Sequence, residues 1–102
     1  MITQERAQRA MTTDANFIIK NLGYDFVESP KLNWEMPNVL LVTFRAHELN
    51  EMEEYYANQD FKRRLSEIIS HIPPNFNPPA LEFDYQVSEK GRVYLRLIYH
   101  CF

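Results

Sequence analysis

Residues 80–102 read ALEFDYQVSEKGRVYLRLIYHCF, and this stretch decides the fold. Leu81, Phe83, Tyr85 and Val87 alternate with Glu82, Asp84 and Gln86. Beyond the break, Val93, Leu95, Leu97 and Tyr99 alternate with Tyr94, Arg96, Ile98 and His100. A period of two marks a strand with one buried face and one wetter face. Two such runs around Ser88-Glu89-Lys90-Gly91 make a β-hairpin.

Burial chooses its register. A loop of Glu89-Lys90 alone sets Phe83 opposite Arg96 and puts Leu95 and Leu97 on the face of Asp84 and Glu82, wasting both apolar rows. A loop of Glu89-Lys90-Gly91 sets Val87 opposite Val93, Tyr85 opposite Leu95, Phe83 opposite Leu97 and Leu81 opposite Tyr99, with Asp84 facing Arg96 on the other side. A slip of one residue turns every side chain over, so the second loop is expected. Gly91 agrees, because a type I turn closed by a bulge needs positive φ at its third position.

The outer row of this hairpin is mixed rather than polar: Tyr94, Ile98 and Phe102, with His100. An exposed apolar row marks an interface or an aggregation hazard. A second copy of the chain about a two-fold axis is the expected cover, a homodimer through the hairpin face or edge. Cover from residues 24–37 is the competing account.

Working backwards, Pro73-Pro74-Asn75-Phe76-Asn77-Pro78-Pro79 reads as a stiff connector with Phe76 tucked into the core. Residues 50–72 are helical. Asn50 and Glu53 have capping-box spacing, and Phe61, Leu65, Ile68, Ile69 and Ile72 form an apolar stripe. Met52, Tyr55 and Tyr56 run out of phase with that stripe, so a kink or break is expected across Ala57-Asn58-Gln59-Asp60, capped by Asn58 or Asp60.

Residues 38–46 are the clearest single strand, with Leu40, Val42, Phe44 and Ala46 on one face and Val39, Leu41, Thr43 and Arg45 on the other. Both faces begin apolar, so cover is expected on both sides at that end. Residues 24–37 are the least legible; Tyr24, Phe26 and Val27 can form a short strand. Trp34 reads as a lid on the core, with an exposed partner anchor as the alternative. Residues 3–22 form a helix with Thr3 as N-cap, a stripe of Ala7, Ala10, Met11, Ala15, Ile18 and Leu22, and Gly23 as its left-handed end.

The order helix, strand, helix, hairpin predicts a single α+β domain over residues 1–102. It is a two-layer sandwich, with an antiparallel sheet of about three strands and two main helices on one face. The last strand should lie between the other two, giving the sheet order first–third–second.

A chain of 102 residues is enough for one core without staples. Its net charge of −3 argues against a dedicated nucleic-acid binder, and its two glycines leave no room for a Gly-rich phosphate cradle. The single cysteine, Cys101, excludes an internal disulfide framework. Residues 1–10 are polar and Val39 to Val42 is the longest apolar run, so no membrane span and a cytoplasmic location are expected.

Chemistry-bearing patterns are sparse. His47-Glu48-Leu49-Asn50-Glu51 superficially resembles a zinc helix but lacks the second histidine four residues on. His71, near a helix end, suits a dipole contact. His100 and Cys101 are neighbours on a strand and point to opposite faces, so they make no thiol–imidazole pair. Glu82 and Asp84 share a face about 7 Å apart, a row that Arg96 and Arg92 can neutralise. Lys62-Arg63-Arg64 fan over about 200° of a helix and form no flat patch. No nucleophile elbow, P-loop or dinucleotide fingerprint is present. No cofactor, metal or catalytic residue is expected.

The reading that remains is a small non-catalytic protein that binds another protein, an inhibitor or adaptor of a larger enzyme or complex. Small inhibitors carried by phages and mobile elements have this character, an analogy at the level of class alone. Its expected anchors are Trp34, Tyr55, Tyr56, Tyr94, Ile98 and Phe102. One alternative is a nucleic-acid-binding domain using Lys62, Arg63, Arg64, Arg92 and Arg96. Another is a small enzyme pairing His47 or His100 with carboxylates.

Overall fold

The computed structural model describes residues 3–72, 81–88 and 90–100. The connector with Phe76, the loop residue Glu89 and the terminal Cys101 and Phe102 lie outside the described residues.

The first helix, α1, covers Gln4–Asn21. Thr3 caps it, its side chain accepting from the Arg6 N–H, which satisfies one of the donors a helix start leaves over. Gly23 ends it at φ 74°, where a Cβ would be strained. Ala7, Met11, Ala15, Ile18 and Leu22 are buried along its stripe, and so is Asp14.

Four strands follow: β1 (Phe26–Met36), β2 (Val39–Ala46), β3 (Leu81–Val87) and β4 (Arg92–Tyr99). All neighbours are antiparallel, in the order β1-β2-β4-β3. β2 and β3 therefore run parallel to each other, with β4 between them as expected. The sheet has one strand more than the sequence reading. Within residues 24–37, Phe26–Met36 form the long edge strand β1 rather than a short one. Its pairing with β2 slips in three places, between Phe26 and Glu28, Glu28 and Lys31, and Trp34 and Met36. Each slip inserts a residue, which breaks the clean alternation that makes a strand legible.

The hairpin keeps the expected register: Val87 faces Val93, Tyr85 faces Leu95, Phe83 faces Leu97, Leu81 faces Tyr99 and Asp84 faces Arg96. Gly91 has φ 74° and its N–H donates to the Ser88 carbonyl, closing the three-residue loop.

The second helical region is two helices, but the break falls earlier than the sequence suggests. A short α2 covers His47–Asn50 and α3 covers Glu54–Ser70. Asn58 and Asp60 lie inside α3 and cap nothing. Asn50 ends α2 instead of capping a helix, and accepts from Arg45 Nε at 3.3 Å. Ala57 is the residue that the phase argument overlooked. It is fully buried and extends the stripe of Phe61, Leu65 and Ile68 back through the first turn, so Tyr55 and Tyr56 turn outward.

Both long helices lie on one face of the sheet. Leu40, Val42, Phe44 and Ala46 of β2 and Val93, Leu95, Leu97 and Tyr99 of β4 join the helical stripes in one buried cluster. Aromatic rings run through it from Phe26 to Phe44, Phe61 and Tyr85 at centroid spacings of 5.2, 6.1 and 5.3 Å. Phe83 lies at the margin of this layer, 36% exposed. The opposite face is not covered within the described chain. Residues 24–37 extend the sheet sideways and do not fold over it, so cover by this segment is overturned.

Candidate interaction face

The open face is built by the second set of alternate residues. Reading across β1, β2, β4 and β3, the pairing aligns Glu28, Arg45 and Arg92; then Lys31, Thr43, Tyr94 and Gln86; then Asn33, Leu41, Arg96 and Asp84; then Met36, Val39, Ile98 and Glu82. Val39 faces Ile98 directly, and Leu41 lies diagonally between Tyr94 and Ile98, within reach of long side chains. Val39, Leu41, Tyr94 and Ile98 are half-buried by their own neighbours, and Met36 beside Val39 is 59% exposed. The result is an apolar stripe across the middle strands.

Two ion pairs flank it and a third, from Arg96 on β4 to Glu35 on β1, crosses it over β2. Arg96 Nε donates to Glu35 Oε1 at 2.7 Å, Arg92 lies 4.0 Å from Glu28, and His100 Nε2 lies 2.9 Å from Glu82 Oε2. The two arginines therefore reach towards β1, rather than across the hairpin to Glu82 and Asp84 as the sequence suggests. All three pairs are largely solvated, so they contribute little stability and serve mainly to fix which charge sits where.

The expected anchors do not converge on this surface. Tyr94 and Ile98 do belong to it. Trp34 is paired with Leu40, which is buried on the helical side, yet Trp34 itself is 41% exposed at the β1 edge and joins no core cluster. It is not a lid. Tyr55 and Tyr56 project from the first turn of α3 in the other layer, their rings edge-to-face at 5.4 Å. Phe102 lies outside the described residues. Leu41 and Met36 were missed because a strand that is apolar on both faces gives no sequence signal of which face stays open.

The basic residues are divided in the same way. Lys62, Arg63 and Arg64 are on α3, and Arg92 and Arg96 are on the open face. Arg63 bonds Asp60 at 2.8 Å and lies 3.7 Å from Glu67; Arg64 holds Asp60 at 3.1 Å and Glu48 at 3.2 Å. Each of the four arginines already faces a carboxylate.

The most perturbed ionisable groups lie in the helical layer. Tyr24 donates to Asp60 Oδ2 at 2.6 Å, and the Arg64 guanidinium lies over its ring. Burial, then the hydrogen bond to Asp60 and its negative charge, push the Tyr24 phenol far above its ordinary range, against the pull of Arg64. Burial also works to raise Asp60. The hydrogen bonds from Tyr24 and Arg63 and the charges of Arg64 and Arg63 outweigh it and hold the carboxyl below its usual value. This network ties the segment just before β1 to α2 and α3.

His47 starts α2, where its N–H donates to the Asp25 carbonyl at 2.8 Å. His71 caps the end of α3, with Nδ1 2.7 Å from the Glu67 carbonyl, as the helix-end reading anticipates. Among the described residues no three His, Cys, Asp or Glu side chains come together as a metal-holding group, and no helix is long and apolar enough to cross a membrane. No known family, curated protein or solved structure matches the chain.

Proposed function

We propose that this is a small non-catalytic protein that binds another protein through the open face of its sheet. One observation carries the reading: apolar Met36, Val39, Leu41, Tyr94 and Ile98 on the face that no described helix covers, flanked by the Arg92–Glu28 and His100–Glu82 pairs and crossed by Arg96–Glu35. Partly open apolar side chains set among paired charges suit a protein interface. A second copy of the chain is one such partner, since this face carries both signs of charge around its stripe. An inhibitor or adaptor of a larger complex is the same chemistry with a different partner. A cytoplasmic location goes with this reading, supported by a single cysteine and hence no internal disulfide framework.

The test is capture from native cell extract with sedimentation of the purified chain alongside. The double variant Leu41→Lys and Ile98→Lys, placed on the solvent side of the sheet, should keep its circular dichroism. It should also lose what the wild type captures, or dissociate if the wild type is a dimer. A folded double variant with unchanged capture and unchanged mass would reject the open face.

A further inference from the structure

The two edges of the sheet are not alike. β1 is a poor template for another strand: its register slips in three places, and Pro30, which has no N–H, lies within the second of them. β3 carries none of these devices. It pairs with β4 residue for residue from Leu81 to Val87 without a slip and contains no proline. Among the described residues no strand lies beyond it.

Its backbone is oriented for pairing. Ser88 N–H donates to the Arg92 carbonyl, which makes Ser88 and Arg92 a hydrogen-bonded pair. Antiparallel pairs alternate, so Gln86, Asp84 and Glu82 turn their backbone groups to β4, and Val87, Tyr85, Phe83 and Leu81 turn theirs outward. Asn58 of α3 donates to the Val87 carbonyl at 3.4 Å, which agrees with this direction and occupies that end of the edge. Phe83 and Tyr85 present the middle.

The side chains state what fits. Glu82 and Asp84 are exposed on the open face of this edge, and Glu82 also holds His100. Phe83 is 36% exposed on the helical face between them. A second β3 in antiparallel register about a two-fold axis would bring Glu82 and Asp84 beside their own copies or each other in its central registers. Like charges directly opposite are unfavourable.

We propose that the β3 edge accepts an added strand from a protein partner, an extended segment alternating basic and apolar residues. Its basic side chains lie beside Glu82 and Asp84, its apolar ones beside Phe83, and its backbone bonds Phe83 and Tyr85. This rests on the reading of the chain as a binding protein, but uses a different surface from the open face.

The probe is an acetylated, amidated peptide alternating lysine and valine, titrated into the full chain with amide exchange as readout. Binding with slowed exchange at Phe83 and Tyr85 is expected. Methylating the peptide's alternate backbone nitrogens should abolish it, and replacing lysine by glutamate should abolish it too. In the protein, Glu82→Lys with Asp84→Lys should weaken the lysine peptide about tenfold, two cross-strand attractions having become repulsions.

Three results overturn the proposal. They are no binding, equal binding of the methylated peptide, or protection of Phe83 and Tyr85 that rises with protein concentration alone, which would mean a second copy occupies the edge. The variant with Val39→Lys and Leu41→Lys, both on β2 and separated from the edge by β4, should still bind the peptide. If it does and also keeps its native partner, the open-face reading fails while the edge stands.

Discussion

The guanidinium of Arg64 lies over the ring of Tyr24, 4.2 Å from its centroid, and donates through Nη1 to the Leu22 carbonyl at 2.8 Å. A single side chain of α3 thus clasps both sides of the Gly23 turn that leads from α1 into β1. The planar fork is what permits stacking and three polar contacts at once.

Arg64→Lys keeps the charge and loses the fork. The variant should be less stable by roughly 1–2 kcal/mol, from lost stacking and lost charge-assisted hydrogen bonds. Urea unfolding checks this; the midpoint should fall with the slope unchanged.

The same cluster sets two limits in pH. Asp60 is held below its unfolded value, so its contribution is present above about pH 4 and is lost as pH falls through the unfolded and then the folded value. Tyr24 is raised, so its contribution is intact below about pH 10 and is lost as pH rises towards the folded value. Tyr24→Phe should flatten the alkaline limb of a stability profile and Asp60→Asn should flatten the acid limb. Unchanged limbs in both variants would contradict the assignment.

Deep in the helical layer Tyr99 donates its phenol hydrogen to Asp14, joining β4 to the middle of α1. Asp14 is 4% exposed and Tyr99 2%. Tyr99→Phe removes one donor from a buried carboxyl and should destabilise by about 2 kcal/mol. Calorimetric melting would show this as a drop of several degrees.

The two glycines should respond differently to alanine although both have φ 74°. A Cβ on Gly23 meets only Arg64 Nη1 at 3.7 Å, so the substitution should cost about 1 kcal/mol, the backbone penalty. On Gly91 it would lie 2.8 Å from Asn50 N and 3.0 Å from Leu49 C, which are backbone atoms of α2. Gly91→Ala should therefore lose roughly 3 kcal/mol or more by chemical denaturation.

Within α3, Phe61→Ala should cost about 4 kcal/mol, because the ring is fully buried between Phe44 and Tyr85. Tyr55→Ala and Tyr56→Ala, at 67% and 59% exposure, should each stay within about 0.5 kcal/mol. The pair is thus open to partner-binding assays without confounding by unfolding.

The sequence by itself determined what repeats over short range. A period of two in residues 80–102, a glycine at the one loop position that needs positive φ, and a stripe from Ala7 to Leu22 bounded by Thr3 and Gly23 each settle locally, because burial and backbone sterics act on adjacent residues. Only the tertiary structure decided the rest. The edge strand β1 has extra residues that erase its period, and its partner β2 supplies the register. Ala57 is too small to announce a stripe, and its burial on the inner face of α3, one turn before Phe61, is what turned Tyr55 and Tyr56 outward. Asp14 reads as a polar residue on a helix until Tyr99, 85 positions later, arrives beside it. The apolar row of Val39 and Leu41 looked like core, and it stays half-open because both helices were drawn to the other face by the larger and more continuous row of Leu40, Val42 and Phe44.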